Sequence, residues 1–169
     1  MIRERTHRLI VAGLLAALAV ALSALEGVLP PLPIPGAKLG LANVVVMYAL
    51  CRVSFPTAAG VLAVKVTFAL FRGPVACFMS AVGGVLSLLG MALLYRLCRD
   101  KISFVGLGLV GAVLHNVGQW CVAFGLLGSA MTYYAPFLLL LAVPAGLVTG
   151  LVLNIVSSYL PQLAMDKKG

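Results

Sequence analysis

Residues 9–25 read LIVAGLLAALAVALSAL, seventeen consecutive positions without a charged side chain. A helix needs about 20 apolar residues to cross a bilayer, and about 17 is the lower end of the range. The rest of the chain repeats the pattern. Hydrophobic residues make up 63% of the 169 positions and charged residues 9%. A soluble domain is about half apolar and about a quarter charged. With 12 Lys and Arg and 4 Asp and Glu, the chain cannot cover a water-facing surface. The composition predicts an integral membrane protein and excludes a soluble enzyme, a nucleic-acid binder and a disulfide-rich secreted module. The first segment has no convincing cleavage site, so it is expected to stay in place as a helix and not to be removed as a signal peptide.

Five further apolar segments follow, at about 39–51, 56–71, 74–97, 102–127 and 135–160. Between the first two, prolines occupy positions 30, 31, 33 and 35. Proline removes backbone donors and restricts its neighbours, so this stretch cannot be a continuous helix. Pro56 suits a helix N-terminus, and Gly73-Pro74 breaks the chain before the fourth segment. The second and third segments are short, as tilted or partly re-entrant helices would be. No exact internal repeat is present, which argues against a large inverted-repeat transporter. The expected fold is all-α: a single domain over residues 1–169, an integral membrane bundle of six transmembrane helices.

The net charge of +8 follows the positive-inside rule and does not mark a nucleic-acid surface. With the N-terminus in the cytoplasm, nine of the twelve basic residues lie inside: Arg3, Arg5, Arg8, Arg52, Arg96, Arg99, Lys101, Lys167 and Lys168. Lys38 and Arg72 lie outside, and Lys65 lies within a span. The expectation is a multi-pass cell-membrane protein with both termini cytoplasmic. Cys51, Cys77, Cys98 and Cys121 form no CxxC pair and read as small apolar residues.

Lys65 is the least expected residue. It sits in Leu62-Ala-Val-Lys-Val-Thr-Phe68, and a lysine at the centre of a span costs about 2.5–3.5 kcal/mol to insert. Arg72 lies two turns further along the same face. Together they predict the wall of an outward-facing anion pocket; the alternative is a lysine that snorkels or meets a carbonyl. No acidic residue is expected within the spans to neutralise Lys65, which favours an anionic ligand or a neutralised amine. In Gly111-Ala-Val-Leu-His-Asn-Val-Gly-Gln119, His115 and Gln119 share a helix face and Asn116 adjoins them. They either bond neighbouring helices or face a ligand. Asn43 lies about one turn inside the outer boundary. The proline stretch is either a lid over the pocket or a plain connector. With one other histidine, His7, no metal site is expected. A DDxxD motif and a GxxxxGK[ST] loop are absent, so neither catalysis nor ATP-driven transport by this chain alone is expected, and no cofactor is implied.

Ala12, Ala16, Ala17 and Ala21 put small residues at four-residue spacing on the first helix. Such a stripe permits close helix approach, either within the chain or against a partner. The row Ala142, Gly146 and Gly150 in the sixth segment reads as internal packing.

The stretch Leu29-Pro-Pro-Leu-Pro-Ile-Pro-Gly-Ala-Lys-Leu-Gly-Leu-Ala-Asn-Val44, after an alanine-rich first helix, resembles the Gx transporter family, also labelled heptaprenyl diphosphate synthase component I. Ala112-Val-Leu-His-Asn-Val-Gly-Gln119 is similar to that family's second motif. The family is similar in length and topology to the S components of energy-coupling factor (ECF) transporters. The resemblance therefore implies an S-component-like bundle with an outward site capped by the first loop. It also implies uptake of a small anionic or amphipathic metabolite (vitamin, flavin or isoprenoid related). Helix one would dock on a transmembrane coupling subunit served by ATPase subunits, the AxxxA pairs Ala12/Ala16 and Ala17/Ala21 matching the docking pattern. Binding residues would be Lys38, Asn43, Lys65, Arg72, His115, Asn116 and Gln119. Family members are also associated with flavin- or quinone-linked electron transfer and with prenyl diphosphate synthesis, which gives two alternative readings as a non-catalytic component. The family is expected to carry arginine where this chain has Lys65, which keeps the charge but loses the planar fork.

Overall fold

The computed structural model describes residues 2–28, 40–98 and 101–159, with side chains from Thr6 onward. Six α-helices occur among them: α1 (Ile2–Val28), α2 (Leu41–Tyr48), α3 (Phe55–Ala69), α4 (Pro74–Cys98), α5 (Phe104–Leu127) and α6 (Ala135–Tyr159). No strand occurs among the described residues. A π-helical turn, Ala49–Val53, extends α2, and 3₁₀ segments Leu70–Arg72 and Gly128–Tyr134 follow α3 and α5. The helices fall on the six apolar segments of the sequence. By length and composition, four stretches qualify as membrane-crossing: Thr6–Val28, Phe55–Arg72, Pro74–Cys98 and Phe104–Tyr159, the last holding both α5 and α6. Leu41–Val53 is apolar but shorter.

Local chemistry sets the boundaries. Ser54 caps α3 by accepting the Thr57 N–H at 3.3 Å, with Pro56 in the first turn where its missing donor costs nothing. Ser103 caps α5 by accepting the Gly106 N–H at 3.1 Å. Gly73, at φ +110°, turns the chain between α3 and α4 in a region that side chains disfavour.

The packing is that of a membrane protein. Leu14, Leu18, Leu89, Leu93, Leu140 and Leu151 are exposed, whereas Ser23, Lys65, Ser80, Ser87, Gln119 and Thr149 are buried. Lipid gives apolar side chains no reason to hide, while polar groups need partners inside the bundle. The short α2 is the hub: Val44 to Leu50 are all buried, and α2 packs on α1, α3, α4 and α6.

Glycines bring α4, α5 and α6 together. A methyl at Gly146 would lie 2.6 Å from Leu109 Cα, and one at Gly150 would lie 2.4 Å from Val105 Cα. The Ala142, Gly146, Gly150 row is therefore internal, as its spacing suggested. At the end of the bundle where α2 finishes, Arg52 donates from Nε to Ser157 Oγ at 2.9 Å. Its guanidinium also lies 5.4 Å from the Phe104 ring centroid, in cation–π range.

Candidate functional site

The opposite end of the bundle, where α1 and α3 finish and α2 and α4 begin, opens into a cavity. It is narrow, with a cavity volume of about 30 Å³. Every helix contributes. Ser23 and Glu26 come from one face of α1; Gly40 and Asn43 from the start of α2; Lys65 and Arg72 from α3 and its 3₁₀ turn. From α4 come Ser80, Ser87 and Met91, and from α6 Ala145 and Thr149. The longest wall is α5, with Gly108, Gly111, Ala112, His115, Asn116 and Gln119.

The mouth is charged and cross-tied. Lys65, only 6% exposed, donates from Nζ to Asn43 Oδ1. Asn43 is itself placed by its backbone N–H, which donates to Gly40 O at 2.8 Å. Glu26 Oε1 accepts the Leu41 N–H and so joins the end of α1 to the start of α2. Arg72 donates from Nη2 to Ser23 Oγ at 3.2 Å. Its Nε and Nη1 are buried and hold no hydrogen bond among the described residues, and the same is true of Ser80 Oγ.

The α5 wall is fixed from behind. Asn116 donates from Nδ2 to Leu138 O at 2.7 Å, and Trp120 Nε1 donates to Met131 O at 2.9 Å. Both bonds hold α5 against α6 and the segment before it. On the other flank α4 and α5 meet at Gly83 and Gly118: a methyl on Gly118 would lie 2.6 Å from Gly83 Cα. That approach sets the His115 backbone and the Gln119 side chain directly against Gly83.

Of the residues expected from sequence, Asn43, Lys65, Arg72, His115, Asn116 and Gln119 all line this one cavity. Lys38 and the proline stretch at 30–35 lie outside the described residues. One expectation is corrected: an acidic side chain does stand in the same cavity as Lys65. The first apolar run of the sequence ends at Leu25, but α1 continues to Val28, so Glu26 keeps the face of Ser23 and lines the cavity. Ser23, Ser80, Ser87 and Thr149 are not expected from the sequence. A serine or threonine in an apolar helix can satisfy itself on the preceding turn, as Thr149 Oγ1 does by donating to Ala145 O at 2.7 Å. Such residues carry no signal of their own. The spacing of Ser23 and Glu26 is the one clue, since residues three apart share a helix face.

On α1, Ala17 and Ala21 are exposed, while Ala12 and Ala16 are half-buried. Ala16 packs against the core formed with α2 and α3. No cluster of three or more potential metal ligands occurs among the described residues.

A family model for heptaprenyl diphosphate synthase component I matches residues 15–156, a range that contains every cavity-lining residue. Neither a curated protein nor a solved structure matches the chain.

Proposed function

The chain belongs to the heptaprenyl diphosphate synthase component I family, or Gx transporter family, and on that premise we propose that it is a membrane-embedded substrate-binding subunit, S-component-like, for uptake of a small anionic or amphipathic metabolite. The observation that carries this reading is the convergence of Asn43, Lys65, Arg72, His115, Asn116 and Gln119 on one cavity. Each of these groups is costly at membrane depth unless partnered, and their concentration in one place is the pattern of a binding site.

The proposed topology is six crossings with both termini cytoplasmic, because lysine and arginine divide nine to two between the sides. The cavity mouth then faces outward, the direction from which an uptake substrate arrives. The role is non-catalytic. Glu26 is the one carboxylate in the described lining, and a diphosphate–metal site of the synthase type needs several. Energy would come from a coupling subunit and ATPases. The exposed Ala17 and Ala21 offer that subunit a smooth face on α1, with Ala12 and Ala16 at its half-buried edge.

The test is purification from native membranes, with the co-purifying proteins identified and retained small molecules sought by native mass spectrometry. The reading expects a transmembrane coupling subunit, ATPases and a bound metabolite. Recovery with flavin- or quinone-reactive proteins, and without ATPases, would refute it.

A further inference from the structure

Two groups in the cavity are chemically unfinished. Arg72 spends one hydrogen bond on Ser23, and its Nε and Nη1 stay buried without a partner among the described residues. Ser80 is 6% exposed, lines the same cavity, and its Oγ has no partner there either. Buried polar atoms are nearly always satisfied. A guanidinium has donors and no acceptor, so what it lacks is an acceptor; a serine hydroxyl can donate to the same group. Both observations point to an oxyanion.

The charge balance narrows its class. The described lining holds two cations, Lys65 and Arg72, and one carboxylate, Glu26, so these three side chains leave one positive charge. Lys65 is directed at Asn43, and Arg72 carries two buried donors without a partner among the described residues. A carboxylate brings one negative charge and neutralises the lining. A phosphoryl group brings about −1.5 to −2 at pH 7 and a diphosphate brings more, which would leave net negative charge at a site walled by apolar helices. Uncompensated charge in such surroundings is strongly disfavoured. The remaining polar lining is uncharged, with Ser87, Asn116, Gln119 and Thr149 suited to a neutral, hydrogen-bonding ligand body.

We infer that the cavity takes a monocarboxylate, with its carboxylate on Arg72 and Ser80, and that it does not take a diphosphate of the kind in the family's description. The inference rests on the reading of this cavity as a substrate site. Its test is thermal unfolding of the purified full-length chain with benzoate, inorganic phosphate and inorganic diphosphate at matched ionic strength. The variants are Arg72→Gln and Ser80→Ala, with Arg72→Lys as a charge-retaining control should Arg72→Gln fail to fold.

Benzoate should stabilise the wild type. Arg72→Gln should raise the half-saturating concentration about 10- to 150-fold, and Ser80→Ala about 2- to 12-fold. Phosphate and diphosphate should give no shift that depends on Arg72. Stronger, Arg72-dependent stabilisation by diphosphate would overturn the carboxylate assignment and leave the substrate site standing. A benzoate shift untouched by both variants would overturn the assignment to Arg72 and Ser80. Absence of any shift with all three anions, in the wild type and in both variants, would overturn the anion site as well.

Discussion

A single methyl group at Gly83 tests how the α5 wall is positioned. Built on the backbone, it would lie 2.6 Å from the His115 carbonyl oxygen, 3.0 Å from His115 Nδ1 and 3.2 Å from Gln119 Cγ. Ordinary contact begins at 3.4 Å, so the shortfall against the carbonyl is 0.8 Å. That oxygen is backbone and cannot rotate aside, so α5 must separate from α4 by a comparable distance. Overpacking of this sort costs about 1–3 kcal/mol. Alanine also returns up to about 1 kcal/mol of helix propensity over glycine, and Gly60→Ala controls for that gain. Gly60 lies on α3, and a methyl added there would meet nothing within 4 Å. The difference between the two variants isolates the packing cost. At about 2–4 °C per kcal/mol for a chain of this size, Gly83→Ala should melt about 2–12 °C below Gly60→Ala. The lone tryptophan, Trp120, sits on α5 and reports the transition by its fluorescence. Gly90→Ala should fall between them, because its methyl meets only the Leu114 side chain, which can turn away. If Gly83→Ala and Gly60→Ala melt within about 1 °C of each other, the α4–α5 crossing does not set the position of His115 and Gln119.

Other perturbations separate binding from structure. Lys65→Met relieves an insertion cost of about 2.5–3.5 kcal/mol and loses a charge-assisted bond to Asn43 of about 1.5–3 kcal/mol. Its melting temperature should therefore stay close to wild type, while half-saturation by benzoate rises by less than for Arg72→Gln, because Lys65 is bonded to Asn43 and acts on the ligand through its charge alone; a large loss of stability with unchanged binding would make Lys65 structural. Ala17→Leu, on the exposed face of α1, should block recovery of partner proteins and leave the isolated chain's melting temperature within about 1 °C. Ala16→Leu enlarges a side chain packed on the core and should destabilise the isolated chain by about 1–3 kcal/mol; equal behaviour of the two variants would refute the division of α1 into packed and free faces. In a background without Cys51, Cys77, Cys98 and Cys121, a cysteine at position 168 should resist an impermeant reagent in intact cells, and labelling there would refute the cytoplasmic C-terminus.

Membrane character, helix class and the positions of the helices were determined by the sequence itself, because each depends on local properties. Seventeen uncharged residues at 9–25 make a helix that lipid accepts whatever its neighbours do. Gly73-Pro74 stops α3 because proline and a positive-φ glycine act on their own backbone. Lys65 stood out for the same reason, since a charge in the middle of an apolar run is visible within the run itself.

Tertiary structure decided what depends on helix rotation and approach. Glu26 joins the cavity because α1 runs to Val28, and a helix end shifted by one turn decides whether a carboxylate faces the bundle or leaves it. Ser80 matters because Gly83 and Gly118 let α4 and α5 nearly touch, and no pattern within either helix states which glycine meets which. Ala16 and Ala17 are adjacent in sequence, yet one packs inward and the other faces out. Consecutive positions on a helix lie about 100° apart, so their fates follow from where α2 and α3 settle against α1.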